Sequence, residues 1–137
     1  MRYLKKFNES KLNLQENLKE FCDTYLAYLY DVGFNVDILG GYFPTYILHL
    51  NKPDGEYLSD FYWKDIENDF IPFIEMLQQK YNLRTHIEFV IHSRQDYEST
   101  KLIRFTPVEL VSGAAGDLNY TFEVGITTIS IYVTGKK

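Results

Sequence analysis

The chain has 137 residues, enough for one domain with a sizeable core, and its 45% hydrophobic and 24% charged composition excludes a disordered segment. One cysteine, Cys22, excludes a disulfide framework or a thiolate zinc cage, and no run of about 18 apolar residues exists to span a bilayer. A net charge of −5 disfavours sequence-independent nucleic-acid binding, which draws its affinity from Lys and Arg displacing phosphate counterions.

Residues 1–9 read as a leader ahead of a single domain spanning 10–137. The leader carries Arg2, Lys5 and Lys6 against Glu9, a net +2, so the remainder carries −7. From Leu12 to Val32 the residues Leu14, Leu18, Phe21, Cys22, Tyr25, Leu29 and Val32 recur at three- and four-residue steps. Gln15, Glu16, Lys19, Glu20, Asp23 and Asp31 fill the opposite face, which predicts one amphipathic helix. Gly33 supplies its left-handed end. Cys22 falls on the apolar stripe and is expected to be a buried, inert thiol.

Phe34, Val36 and Ile38 alternate with Asn35 and Asp37, the period of a half-buried strand, and Gly40-Gly41 permits a reversal into a second strand over Tyr42–Leu50. Pro44 belongs at the start or edge of that strand. Asn51-Lys52-Pro53-Asp54-Gly55 reads as a turn. A second helix is expected from Ser59 or Asp60, with Ile66, Phe70, Phe73, Ile74, Leu77 and Tyr81 as its apolar stripe and Asn82 as its end cap. Pro72 predicts a kink or a new start near Asp69. Beyond it, Arg84–His92, Leu102–Thr106 and Leu118–Thr134 have β character and Ser112–Asp117 forms a flexible loop; Gly125 marks a turn that makes the last stretch a hairpin, the preferred reading, or a bulge in one long bent strand. The order α-β-β-α-β-β-β-β predicts an α+β two-layer sandwich, a mainly antiparallel sheet with two helices on one face.

Alternation places His86, Glu88 and His92 on one strand face and Ile87, Phe89 and Ile91 on the other. At about 3.3 Å per residue His86 and His92 stand roughly 20 Å apart, too far to share an ion, so neither a metal nor a cofactor is expected. His86-x-Glu88 lacks the later Pro-Cys-x-x-Cys of zinc deaminases. Gly113-Ala114-Ala115-Gly116 lacks the Lys-Ser or Lys-Thr of a phosphate loop. His49 reads as a structural strand histidine. Between Asp54 and Phe73 acidic residues interleave with aromatics; Tyr57, Asp60, Tyr62, Trp63, Asp65 and Glu67 are the candidate partner-binding residues, since rings supply contact energy and carboxylates steer a basic partner, and the alternative is an acidic outer face with the aromatics tucked under it.

The opening Met1-Arg2-Tyr3-Leu4-Lys5-Lys6-Phe7-Asn8-Glu9 resembles that of small proteins of large tailed bacteriophages. It is also similar to the capsid-targeting leaders of internal head proteins in T-even-like phages, in which a prohead protease cuts after a hydrophobic-x-Glu site. Phe7 and Glu9 occupy the matching positions, with Phe7 standing where Leu or Ile is usual. The resemblance implies a phage accessory protein that binds a protein partner without catalysis, in the host cytoplasm or the virion interior, as a packaged protein or an inhibitor of a host factor. No nucleic-acid or membrane partner is expected, and a homodimer through the same patch is a further option. The alternative is a small-ligand or enzymatic domain using His49, His86, Glu88 and His92.

Overall fold

A computed structural model describes residues 2–40, 45–93, 96–119 and 124–136, of which 2–13, 93–99, 117, 119, 124 and 136 are described by their backbone alone. Helix α1 runs Arg2–Tyr25 and helix α2 Ala27–Asp31. The single helix expected to Val32 is therefore interrupted at Leu26, whose φ of −112° and ψ of 15° leave the helical region. Two residues earlier the Thr24 hydroxyl donates to the Glu20 carbonyl at 2.9 Å, a side-chain bond of the kind that bends helices. Leu26 itself turns into the core. At the end of α2 the Phe34 amide donates to the Leu29 carbonyl and the Gly33 amide to Tyr30, while Gly33 adopts φ +99°. This is the Schellman pairing, and buried Leu29 and Phe34 supply its apolar contact.

Strands β1 (Asn35–Gly40) and β2 (Tyr46–Asp54) pair antiparallel, as expected, but β2 continues through Asn51, Lys52 and Pro53. The reversal comes later, at Gly55-Glu56, where Gly55 has φ +64°, and leads into a short β3 (Tyr57–Ser59) paired back on β2. Pro53 is tolerated because it lies beyond the end of the β1 ladder at Asn51. The strand start expected at Tyr42, with Pro44, lies outside the described residues, and β2 begins at Tyr46.

Helix α3 runs Trp63–Lys80. Ser59 and Asp60 do not cap it, because Ser59 is held in β3 and Phe61 makes two backbone hydrogen bonds with Ile126 at 2.8 and 2.9 Å, which keeps the chain extended to Tyr62. Pro72 neither ends nor restarts the helix. Its missing N–H would have met the carbonyl of Asn68, and since both residues are exposed water can serve that carbonyl. Ile66, Phe70, Phe73, Ile74 and Leu77 are buried along its stripe. Asn82 is not its cap, for the chain passes directly from Lys80 into β4 (Tyr81–Leu83).

Strands β5 (Ile87–Ser93) and β6 (Asp96–Phe105) form a hairpin, followed by a short helix α4 (Pro107–Val111), a 3₁₀ turn over Ala114–Asn119 where a flexible loop was expected, and β7 (Val124–Lys136). The final stretch is one strand of 13 residues and not a hairpin at Gly125. It forms the spine of the sheet: β2 and Phe61 pair along one edge, β4 and β5 along the other, all antiparallel. The order β1-β2-β7-β5-β6 makes β1 and β6 the outer strands. The inner face carries the row Val36, Leu50, Ile129, Phe89 and Ile103, which joins the buried stripes of α1 and α3 in one core. Trp63 and Phe70 meet edge to face at 5.8 Å, and Trp63 reaches Phe89 at 5.6 Å. The expected α+β sandwich, an antiparallel sheet under helices, is the fold observed.

Candidate functional site

One residue along each strand from the apolar row, the opposite face of the sheet carries a polar one. Asp37, His49, Ser130, Glu88 and Arg104 stand side by side across β1, β2, β7, β5 and β6. Side-chain period two forces this, since a strand that buries Leu48 and Leu50 must turn His49 outward. Ser130 Oγ lies 3.2 Å from His49 Nδ1. Asp37, though beside His49 in register, accepts hydrogen bonds from Asn35 at 2.9 Å and Asn51 at 3.0 Å. A nucleophilic triad needs a carboxylate orienting the imidazole toward an accessible hydroxyl. Here the carboxylate is held by two amides and Ser130 is 5% exposed, so the row reads as a hydrogen-bonded sheet face.

Farther along the row Glu88 accepts from Tyr132 at 3.2 Å and from Arg104 Nε at 3.2 Å. Burial, together with the neighbouring Glu88 charge, holds the Tyr132 hydroxyl above its usual value, so it stays a donor. The Arg84 guanidinium lies 5.0 Å from the centre of the Tyr132 ring. Arg84, Thr85 and His86 bridge the gap between β4 and β5 and, with Leu83 and these side chains, line a cleft of about 330 Å³.

At the other end of the face His92 Nε2 lies 2.7 Å from Asp60 Oδ2 and His92 Nδ1 is 3.5 Å from Thr127 Oγ1. A bulge makes room: Val90 pairs with Thr128 but Ile91 with Ile126, so Thr127 is an extra residue in β7. Gly125 lies under Asp60, where a Cβ would come within 3.0 Å of the Asp60 side chain.

The four titratable residues singled out in the sequence are thus dispersed. His86 precedes β5 and is exposed in the cleft, Glu88 shares that cleft, His49 sits in the middle of the sheet and His92 pairs with Asp60. Among the described residues no group of three or more His, Cys, Asp or Glu is placed to hold a metal ion. Cys22 is buried, and burial, aided by the Asp23 charge, pushes its thiol up to about 12.

The candidate partner-binding residues divide. Tyr57 is 78% exposed on the hairpin, Asp65 is exposed, and Asp60, Tyr62 and Glu67 are half-buried. Trp63 is a correction: at 1% exposure it belongs to the core, because the first turn of α3 points it onto Phe89. Leu58, 48% exposed beside Tyr57, was missed. Phe7 and Glu9 fall within α1, and their side chains lie outside the described residues.

A second concavity, of about 560 Å³, was not foreseen. It runs beside the outer strand β1, between Phe34–Ile38 and Gln15, Glu16, Lys19, Cys22 and Asp23 of α1, with Tyr30 at one wall. Its signal in the sequence was the strand itself, Asn35-Val36-Asp37-Ile38-Leu39-Gly40, which holds a single charge. No family model, curated protein or solved structure matches the chain. Among the described residues no helix is long and apolar enough to cross a membrane.

Proposed function

We propose that the chain is a phage accessory protein that acts by binding another protein and not by catalysis. The observation that carries this reading is the β2–β3 hairpin, whose tip exposes Tyr57 and Leu58 next to exposed Asp54 and Glu56. An aromatic and an aliphatic side chain held out on a two-stranded ladder offer rigid contact area, and the carboxylates beside them favour a basic partner. The phage assignment rests on the resemblance of residues 1–9, and it makes a host or virion protein the natural target. The enzymatic alternative is the weaker one: Glu88 already accepts from both Tyr132 and Arg104, and His49 and His92 are served by separate partners.

The test is quantitative affinity capture from infected-cell lysate with wild type, Tyr57→Ala/Leu58→Ser and Trp63→Ala. The hairpin variant should lose the captured protein by tenfold or more at an unchanged Tm. Trp63→Ala should lose stability outright, by about 3–5 kcal/mol, as large-to-small changes in a core do. Equal capture by wild type and the hairpin variant would exclude the hairpin as the binding surface.

A further inference from the structure

The two outer strands of the sheet are unlike. β6 contains Asp96, Glu98, Lys101 and Arg104, the charges by which natural sheets keep their edges from pairing with other chains. β1 contains no Lys, Arg, Glu or Pro, and its one charge, Asp37, is already bonded to Asn35 and Asn51. It also leaves Leu39 47% exposed. An outer strand without such protection is an aggregation hazard unless a partner uses it.

The groove of about 560 Å³ lies along this same strand. Its volume is in the range of ligand-binding clefts, and the five residues of its strand wall, 34–38, span roughly 17 Å at 3.3–3.4 Å per residue. Its floor is apolar, with Cys22, Phe34, Val36 and Ile38. Its rim holds Glu16, Asp23 and Asp37 against Lys19 alone. A strand edge facing a helix across an open groove is the arrangement in which domains add a peptide as an extra strand, taking affinity from main-chain hydrogen bonds and specificity from alternate side chains.

We infer that the groove between β1 and α1 takes an extended basic peptide of a partner protein, which pairs with β1 and extends the sheet by one strand. Alternate side chains of the peptide fall on the two faces of the sheet. One set lies beside Val36 and Ile38 and is apolar; the other lies beside Asp37 and is cationic. Glu16 and Asp23, on the helix side of the groove and not on the Asp37 face, act on the peptide through its net charge. The site is separate from the hairpin tip, so either stands if the other fails.

The blocked hexapeptide Lys-Val-Lys-Val-Lys-Val serves as probe, with its Glu-Val counterpart and a form N-methylated at alternate residues as controls. Fluorescence anisotropy should show saturable binding of the Lys form, weakened tenfold or more for the Glu form and abolished by N-methylation. Amide exchange in residues 35–40 should slow by tenfold or more on addition of the peptide. Leu39→Lys and Glu16→Lys/Asp23→Lys, all at exposed positions, should each weaken binding by at least tenfold, and Tyr57→Ala/Leu58→Ser should leave it unchanged. Unaltered exchange in β1, or equal binding of the N-methylated form, would overturn the proposal. So would sedimentation as a dimer that Leu39→Lys dissociates, for then the edge belongs to a second copy of the chain.

Discussion

Gly125 illustrates how a single residue serves packing instead of chain reversal. A glycine amid β-branched residues suggests a turn or a bulge, yet β7 passes straight through it, and what requires the missing Cβ is the Asp60 side chain, which a Cβ at this position would meet at 3.0 Å. Asp60 cannot retreat, because the next residue, Phe61, is fastened to Ile126 on the same strand. Gly125→Ala should therefore push the Asp60 carboxylate off His92 and cost about 1–3 kcal/mol, the range for overpacked sites, read as a lower urea midpoint. His92, Asp60 and Gly125 are far apart in sequence, and nothing local to any of them announces the pairing. Cys22 is the opposite case: its place on a helical stripe was enough to predict a buried thiol.

Elements were legible where periodicity was strong. The stripes of α1 and α3, the alternation in β1 and β5 and the Gly33 cap were all readable, whereas boundaries shifted where tertiary pairing competed with local preference. Ser59 and Asp60 are good cap residues, but the Phe61–Ile126 bridge holds that segment extended. Helix α4 was missed although it carried a local signal, since Thr106-Pro107-Val108-Glu109 is a capping box with proline at its first position. Thr106 accepts from the Glu109 amide at 3.1 Å and the Glu109 carboxylate accepts from the Thr106 amide at 2.9 Å. Thr106→Ala should cost about 1 kcal/mol in chemical denaturation. The backbone hydrogen bond from Thr106, followed by that from its side chain, holds the Glu109 carboxyl below its usual value. Its contribution is therefore present above the unfolded carboxyl value and is lost as pH falls through the folded one; Glu109→Gln should flatten the acid limb of the stability profile.

At the scale of the whole molecule the aromatic core sets the response to alkali. Burial raises Cys22 from its ordinary 9.0 to about 12, and burial is also the leading cause raising Tyr30, Tyr46, Tyr81 and Tyr132. The unfolded chain releases these protons at lower pH than the folded one. The stability they protect is fully present below about pH 9 and falls as pH rises through the folded values. Urea midpoints measured from pH 7 to 11 should be level to about 9 and then decline, and Cys22→Ala should shallow the first part of that decline. A midpoint that stayed constant to pH 11 would mean that these groups titrate alike in both states.

By itself the sequence determined the class of fold, because period-2 and period-3.6 patterns decide which side chains seek the core before any partner is chosen, and it determined that Cys22 and the stripe residues lie inside, except Tyr25 and Val32, which are exposed where the first helix breaks and ends. The tertiary structure decided what pairs with what. It made the last strand the spine of the sheet, sent Trp63 inward while leaving Tyr57 out, set the three histidines in separate places, and left β1 outermost beside a groove. These outcomes depend on strand order and register between residues as far apart as Tyr46 and Val133, and no window of the chain contains that information.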